Sequence, residues 1–272
     1  MIGRRPIDVS IVIVSYNARA DLERCLAALH EAPPAAAHEI IVVDNASSDG
    51  SAEAARHWPA VQVITWSNNR GFATANNAGI RAGTGTNVLL LNSDTLVPLG
   101  GVDRLLAEIE RRPDVAIVGP RLVDGDGRAE LSFGSMISPV TELRQRRLVR
   151  GLARRDRTVT AHVEAMTRVE GFPDWVSGAC LLVRRADAEE AGLLDERYFM
   201  YTEDVDFCAA VRARGRKVLF TPAVQIVHLR GRSAAAAPAA TRDAYRRSHL
   251  AFYRKHHPLL APLLRLYQTV RR

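Results

Sequence analysis

Val9-Ser10-Ile11-Val12-Ile13-Val14-Ser15-Tyr16-Asn17 is the stretch on which the fold turns. Its β-branched run shows no alternation of polarity apart from Ser10, as expected of a parallel strand buried on both faces, and it ends abruptly in polar residues. The same pattern recurs downstream. Leu22, Cys25, Leu26 and Leu29 follow at helical spacing behind Asp21, a candidate cap, and Pro33-Pro34 stops them. Further strands are expected over residues 40–43, 61–65, 88–91 and 115–118, with helices over 51–57, 71–82 and 101–111 between them. Strand and helix in alternation imply a parallel central sheet with flanking helices and right-handed crossovers, an α/β fold.

Beyond Pro120 the alternation weakens. Residues 121–135 read as a hairpin or loop, and 141–168 as a basic stretch, helical at its start and mobile beyond. A strand is expected over 175–183, a helix from Ala186, an acidic turn at 203–206 opening a helix through Arg214, and two short strands at 217–220 and 224–228. Two helices separated near Pro258 close the chain. The expected division is residues 1–232 as one α/β domain, carrying the basic insert, and 233–272 as a basic amphipathic helical tail.

The 272 residues are 47% hydrophobic and 25% charged, which excludes a collagenous, low-complexity or wholly disordered chain. Cys25, Cys180 and Cys208 lie far apart with no C-x-x-C, so neither a disulfide framework nor a zinc knuckle is encoded. A cytoplasmic setting is expected. No apolar run approaches the ~20 residues that span a bilayer, and the first residues read as a strand rather than a signal peptide. The formal charge of +7 is unevenly spread. Residues 242–272 carry eight basic residues against Asp243, and residues 144–157 carry seven arginines against Asp156, so the remaining body is mildly acidic. Neither island has the interleaved aromatics of a single-strand platform or a groove-reading motif, and nucleic acid is not an expected partner.

In a parallel α/β sheet, ligands bind beyond the carboxyl ends of the strands. Here those ends are Ser15-Tyr16-Asn17, then Asp44-Asn45-Ala46-Ser47-Ser48-Asp49-Gly50, then Asn68-Asn69-Arg70-Gly71, then Asn92-Ser93-Asp94. Each alone is the composition of a turn; together they favour a shared pocket. No dinucleotide fingerprint, P-loop or hydrolase elbow occurs. Asp44 is well placed to accept from a ribose hydroxyl or a base N–H. Asp94 offers a hard oxygen for Mg²⁺ or Mn²⁺, which would grip the phosphates of a nucleotide diphosphate.

These motifs, with Tyr201-Thr202-Glu203-Asp204-Val205-Asp206, resemble the inverting family 2 glycosyltransferases of GT-A fold over roughly residues 8–230. Asn68-Asn69-Arg70-Gly71-Phe72-Ala73 with Asn76-Asn77 narrows the resemblance towards rhamnosyltransferase-like members. It implies transfer of L-rhamnose from dTDP-L-rhamnose to a cell-surface polysaccharide or lipid-linked glycan, the alternatives being a UDP- or GDP-sugar donor, or a non-catalytic nucleotide-sugar or membrane-binding protein. It further implies a nucleotide contact at Asp44, a metal contact at Asp94 and a catalytic base at Asp204, with Ser15, Tyr16, Asn17, Asn45, Asn69, Gly71, Asn76, Asn92 and Ser93 around the donor. The first carboxylate of the D-x-D-type metal motif is replaced by Asn92.

A base at Asp204 suits inverting transfer, which must take a proton from the acceptor hydroxyl; carboxylates in a first helical turn also complement the helix dipole. Glu203 is an acceptor-binding candidate. His228, which closes a strand signal, is a second candidate metal ligand or an ordinary structural histidine, and Arg232 a partner for the diphosphate. Gly178 marks a close approach to acceptor or sugar, or a plain bulge; Trp175 stacks on a sugar or packs in the core. The tail's leucines and arginines suit either an interfacial helix at the inner face of the cell membrane or a helix packed on the domain.

Overall fold

The computed structural model describes residues 6–229 and 238–270. Its first half follows the pattern of the sequence: β1 (Val9–Ser15), α1 (Arg19–Glu31), β2 (His38–Asp44), α2 (Ser51–Arg56), β3 (Val61–Thr65), α3 (Phe72–Ala82) and β4 (Asn87–Asn92). Then come β5 (Thr95–Leu96), α4 (Gly101–Glu110), β6 (Val115–Val123), β7 (Phe133–Gly134), α5 (Pro139–Ala153) and α6 (Arg157–Met166). The last elements are β8 (Trp175–Val176), β9 (Cys180–Arg184), α7 (Arg185–Glu190), α8 (Glu203–Arg212), β10 (Lys217–His228), α9 (Pro238–His256) and α10 (Ala261–Val270).

Eight strands form one sheet in the order β3-β2-β1-β4-β9-β6-β10-β5, and β7 pairs with β8 in a separate two-stranded ribbon. The large sheet is mainly parallel: β1 runs parallel to β2 and β4, β2 to β3, and β6 to β10. Two strands run the other way. β9 lies antiparallel between β4 and β6, and β5 antiparallel to β10. The continuous strand expected over 175–183 is therefore two strands in two sheets, broken at Ser177-Gly178-Ala179.

Every residue of β1 is buried. Val9, Ile11 and Ile13 face a layer containing Leu22, Leu26 and Leu29 of α1 and Leu105 and Ile109 of α4. Val12 faces the opposite layer, with Ile80 of α3, Phe207 of α8 and Phe252 of α9. Burying such a side chain contributes about 1.5–3 kcal/mol, and the two-sided burial explains the unbroken apolar run. Ser10 is tolerated because its hydroxyl donates to Glu39 Oε1 at 2.8 Å and accepts from Gly85 N–H at 2.9 Å.

Three local expectations are corrected. Asp21 does not cap α1; it sits inside the first turn paired with Arg24, and the Arg19 N–H donates instead to Asp49 Oδ2 at 2.8 Å. The stretch expected to lose order after α5 forms a second helix, α6, capped by Asp156 accepting from Val159 N–H. Its periodicity is faint because it buries only Val163 and is otherwise held by the Glu164–Arg121 ion pair at 2.6 Å. The two closing strands are one strand, β10, with a register shift between Thr221 and Gln225 around Pro222. The hairpin expected in 121–135 is present: β6 runs on through Val123, which bridges antiparallel to Ala129 across the turn at Gly127.

The tail packs on the domain through its first helix, and the second leaves leucines exposed. Ala244, Phe252 and Tyr253 of α9 are buried, whereas Leu259 is 90% exposed and Leu263 and Leu266 of α10 are 65% and 63% exposed. Among the described residues no helix is long and apolar enough to cross a membrane.

Candidate functional site

The carboxyl ends of β1, β2 and β4 form one rim. Ser15 and Asp44 are register partners across β1 and β2. Both are buried, and Ser15 Oγ and Asp44 Oδ2 have no hydrogen-bond partner among the described residues. Adjacent buried polar atoms left open at a strand end are a ready place for a ligand's own donors, since an unmade buried hydrogen bond costs about 1–3 kcal/mol. Asp44 Oδ1 accepts from Ser47 N–H at 3.0 Å. Asn17, at φ 50°, donates its N–H to Ser47 Oγ and accepts from Ser48 N–H at 2.8 Å, tying the two loops together. Tyr16 stands 44% exposed beside them.

Asn45, Asn69, Gly71 and Asn76 form the frame behind this rim. Asn45 donates to Asn69 Oδ1 at 2.9 Å and to Gly71 O, and accepts from Arg70 N–H at 2.8 Å. Gly71 has φ 89°, and a Cβ there would stand 2.6 Å from Phe199 O, so both backbone and space require glycine. Phe72 N–H donates to the same carbonyl at 2.6 Å, which fastens the start of α3 to the loop before α8. Asn76 is 1% exposed and donates to Phe72 O on its own helix.

At the end of β4, Asp94 and His228 meet: His228 Nε2 lies 3.2 Å from Asp94 Oδ1. On its other side His228 Nδ1 lies 3.1 Å from Glu130 Oε2, a buried contact that nothing in the sequence marked. Burial alone would lower the imidazole, but hydrogen bonds and charge from Asp94 and Glu130 raise it to about 9. Asn92 Nδ2 lies 3.4 Å from the same Nε2, Asn92 Oδ1 is buried with no hydrogen-bond partner among the described residues, and Ser93 is buried between them. Among the described residues no cluster of three or more His, Cys, Asp or Glu is arranged to hold a metal ion. The Asp94 carboxylate fits Mg²⁺ or Mn²⁺, which are commonly held by one or two carboxylates plus substrate phosphates and water, whereas His228, raised to about 9, would have to give up a proton to join it. Arg232 lies outside the described residues.

The acidic turn stands across from Asp94. Gly178 N–H donates to Asp204 Oδ2 at 2.9 Å, while the next residue, Ala179, accepts from Asn92 N–H at 2.9 Å. The Ser177-Gly178-Ala179 break thus joins the acidic turn to the Asn92-Ser93-Asp94 end. A Cβ on Gly178 would stand 3.2 Å from Asp204 Cβ, so the close approach there is to a carboxylate of the chain itself. Burial raises Asp204 against hydrogen bonds from the Gly178 and Val205 backbones. Burial, then the Asp204 charge, pushes Glu203 well above its ordinary range, and Glu203 Oε2 has no hydrogen-bond partner among the described residues. Tyr201 and Thr202 both adopt left-handed backbone, φ 73° and 67°, costing about 1–3 kcal/mol each. Trp175 is 7% exposed, its indole N–H donating to Ser135 O at 2.9 Å, which is core packing.

The turn is held from behind by α9. Asp206, 2% exposed, pairs with Lys255 Nζ at 2.8 Å and His256 Nε2 at 2.6 Å. Ser248 Oγ donates to Met200 O at 2.7 Å, and Tyr245 meets Tyr201 edge-on. No motif in the sequence announces these partners, because they lie about 45–50 residues away in a segment read as a basic amphipathic tail with no particular contact.

Residues 10–171 match the family model described as glycosyl transferase family 2. Over 259 residues, 91% of this chain and 84% of the relative, the sequence is 31% identical to N-acetylglucosaminyl-diphospho-decaprenol L-rhamnosyltransferase of Mycobacterium tuberculosis. It is 25% identical over 226 residues, 81% of this chain and 67% of the relative, to the low-salt glycan biosynthesis hexosyltransferase Agl10 of Haloferax volcanii. Among solved structures, a mannosyltransferase from Pyrobaculum calidifontis in complex with GDP-Man and Mn²⁺ superposes with TM-score 0.62 at 21% identity, over 96% of this chain and 69% of that one. GalNAc-T7 with UDP, GalNAc and Mn²⁺ gives TM-score 0.60 at 18% identity, over 83% of this chain and 44% of that one. At such identities the likeness is one of fold.

Proposed function

The chain belongs to glycosyl transferase family 2 and has the GT-A fold; from that premise we propose that it is an inverting transferase moving L-rhamnose from dTDP-L-rhamnose to a lipid-linked glycan. The observation that carries the catalytic reading is the short segment Gly178-Ala179, which ties Asp204 to the strand end bearing Asp94. A base and a phosphate-facing carboxylate on one rim are what attack at an anomeric carbon from the side opposite a leaving diphosphate requires. Rhamnose and the lipid-linked acceptor are supported by the mycobacterial relative's activity.

In this reading Ser15 and Asp44 receive the nucleoside, with Tyr16 and Asn17 closing over it and Asn45, Asn69, Gly71 and Asn76 keeping the loops in shape. Asn92 and Ser93 line the diphosphate side; Arg232, a candidate donor to phosphate by sequence, lies outside the described residues. Asp94 and His228 would hold Mg²⁺ or Mn²⁺, which when bound neutralises charge on the donor diphosphate. Glu203 and Gly178 border the acceptor, with Trp175 packed behind. Asp204 accepts the proton of the acceptor hydroxyl as its oxygen bonds to the anomeric carbon. The bond from that carbon to the diphosphate oxygen breaks, and the electron pair leaves with dTDP. Burial, by raising Asp204, makes it a better proton acceptor than an exposed aspartate.

Asp204→Asn is the test. Transfer should fall by about 10²–10⁴-fold while dTDP-L-rhamnose binding, followed by calorimetry, persists; unchanged transfer would remove Asp204 from the role of base. Thermal shift with dTDP-, UDP- and GDP-sugars, each with and without Mn²⁺, tests the donor, and Asp94→Ala should abolish any Mn²⁺-dependent gain. The exposed leucines of α10 and the neighbouring Arg265 are the proposed contact with the inner face of the membrane.

A further inference from the structure

Away from the rim, a groove of about 610 Å³ opens between α5 and the β7–β8 ribbon, within the usual range of ligand sites. Phe133, Leu148, Met166, Val169 and Phe172 give it an apolar lining. Helix α5 forms its wall in an unusual way. None of its fifteen residues is buried, although it is capped at Ser138 and packed tightly on α6, where a Cβ on Gly151 would meet Val159 at 2.6 Å. Thr141, Arg144, Gln145 and Leu148, at i, i+3, i+4 and i+7, line the groove rather than a core. A helix held firmly with its inner stripe facing empty apolar space is built around an occupant.

The charge around the groove says what kind. Arg144, in the lining, has no carboxylate partner among the described residues; outside the lining, Arg146 pairs with Glu142 at 3.7 Å and Arg147 and Arg150 are exposed on α5. The acids nearby are spent. Glu170, in the lining, pairs with Arg112 at 2.7 Å, and Glu142 accepts from Tyr253 at 2.9 Å and pairs with His249. An apolar trough with one unpaired arginine in its wall matches a hydrocarbon chain carrying an anionic head. The backbone ties the groove to the candidate site: Phe133 in its lining follows Ser132, whose carbonyl accepts from Ser177 N–H at 2.8 Å, and Ser177 precedes the Gly178 that holds Asp204.

We propose that this groove holds the first isoprene units of a polyprenyl-diphosphate-linked acceptor, with Arg144 meeting the diphosphate, so that the linked sugar reaches Asp204. The assignment rests on the reading of the acceptor as lipid-linked.

The test uses the full chain with excess dTDP and Mn²⁺ filling the nucleotide site, and farnesyl diphosphate as the probe in titration calorimetry. The wild type should bind it. Val169→Asp should weaken binding at least tenfold, and Arg144→Glu should weaken farnesyl diphosphate but leave farnesol unchanged. Both positions are solvent-exposed, so folding is checked simply by an unchanged Tm. Absence of wild-type binding, or variants that bind as the wild type does, overturns the groove. A second arm compares transfer to one sugar carried on farnesyl diphosphate or as its methyl glycoside. The wild type should show a KM at least tenfold lower for the prenyl acceptor, and Val169→Asp should erase that preference. Equal KM values in the wild type would overturn the lipid-linked reading and the groove's role with it; a preference that survives Val169→Asp overturns the groove alone.

Discussion

Residue 178 must be glycine because of what stands opposite it. Gly178→Ala would press a methyl group on Asp204 at about the closest separation such carbons tolerate, 3.2 Å. In the proposed mechanism the substitution lowers kcat by about tenfold and leaves donor affinity unchanged, as steady-state kinetics beside calorimetry would register. The two neighbouring carboxyls also fix pH behaviour. Because Asp204 is raised and must be ionised to accept a proton, transfer should fall on the acid side through a pKa above the ordinary ~3.9 of aspartate, and Asp204→Asn should lose that limb. Glu203 is raised further, so the folded chain holds its proton more tightly than the unfolded chain does. Its contribution to stability is complete below the ordinary glutamate range and lost as pH rises through the folded value. Glu203→Gln should therefore flatten the decline of Tm between acid and neutral pH. Asp204 was legible as a residue because its motif is local. Its surroundings were not, since burial raises it in the folded chain and the Gly178 N–H that bonds it comes from a distant break in a strand.

At the scale of elements, the helices and strands of the first 118 residues, the two-residue β5 apart, are legible because β1, β4 and β6 are buried on both faces and β1 to β4 are each followed by a turn of distinctive chemistry; β3, at the sheet edge, is only partly buried. Later elements are held by single contacts rather than periodic stripes. Helix α6 depends on Val163 and the Glu164–Arg121 pair, and the direction of β9 leaves no mark in a run of apolar residues that reads identically either way. The contact of α9 with the acidic turn is of this kind. Lys255→Met would leave Asp206, 2% exposed, with one cation fewer and should cost about 1–3 kcal/mol. The drop should be visible in denaturant midpoints and largely restored by Lys255→Arg.

For the whole molecule, the formal charge of +7 resolves into an acidic body and two basic islands that face different tasks. The first island is α5, the wall of the groove. The second spans α9 and α10, and only the latter is spare. Removing residues 242–272 would strip Phe252 and Tyr253 from the core, so that deletion should abolish folding rather than report on a membrane. The informative change is Leu263→Asp with Leu266→Asp, both on exposed positions. Sedimentation with vesicles containing anionic lipid should lose most of the bound protein, with Tm unchanged.

Strand β9 carries a consequence for how the chain is made. Strands β4 and β6 never touch; only β9, arriving at residues 180–184, bridges the half-sheet of β1–β4 to that of β6 and β10. On the ribosome the first half-sheet therefore waits with the outer edge of β4 unpaired until some ninety further residues have emerged, and β6 waits with it. Such an open edge invites pairing with other chains. A chain halted at residue 171, the limit of the family match, would never acquire the strand that seals it. Ribosome-stalled intermediates should accordingly depend on holdase chaperones up to about residue 184 plus the length hidden in the exit tunnel, and be released from them abruptly afterwards.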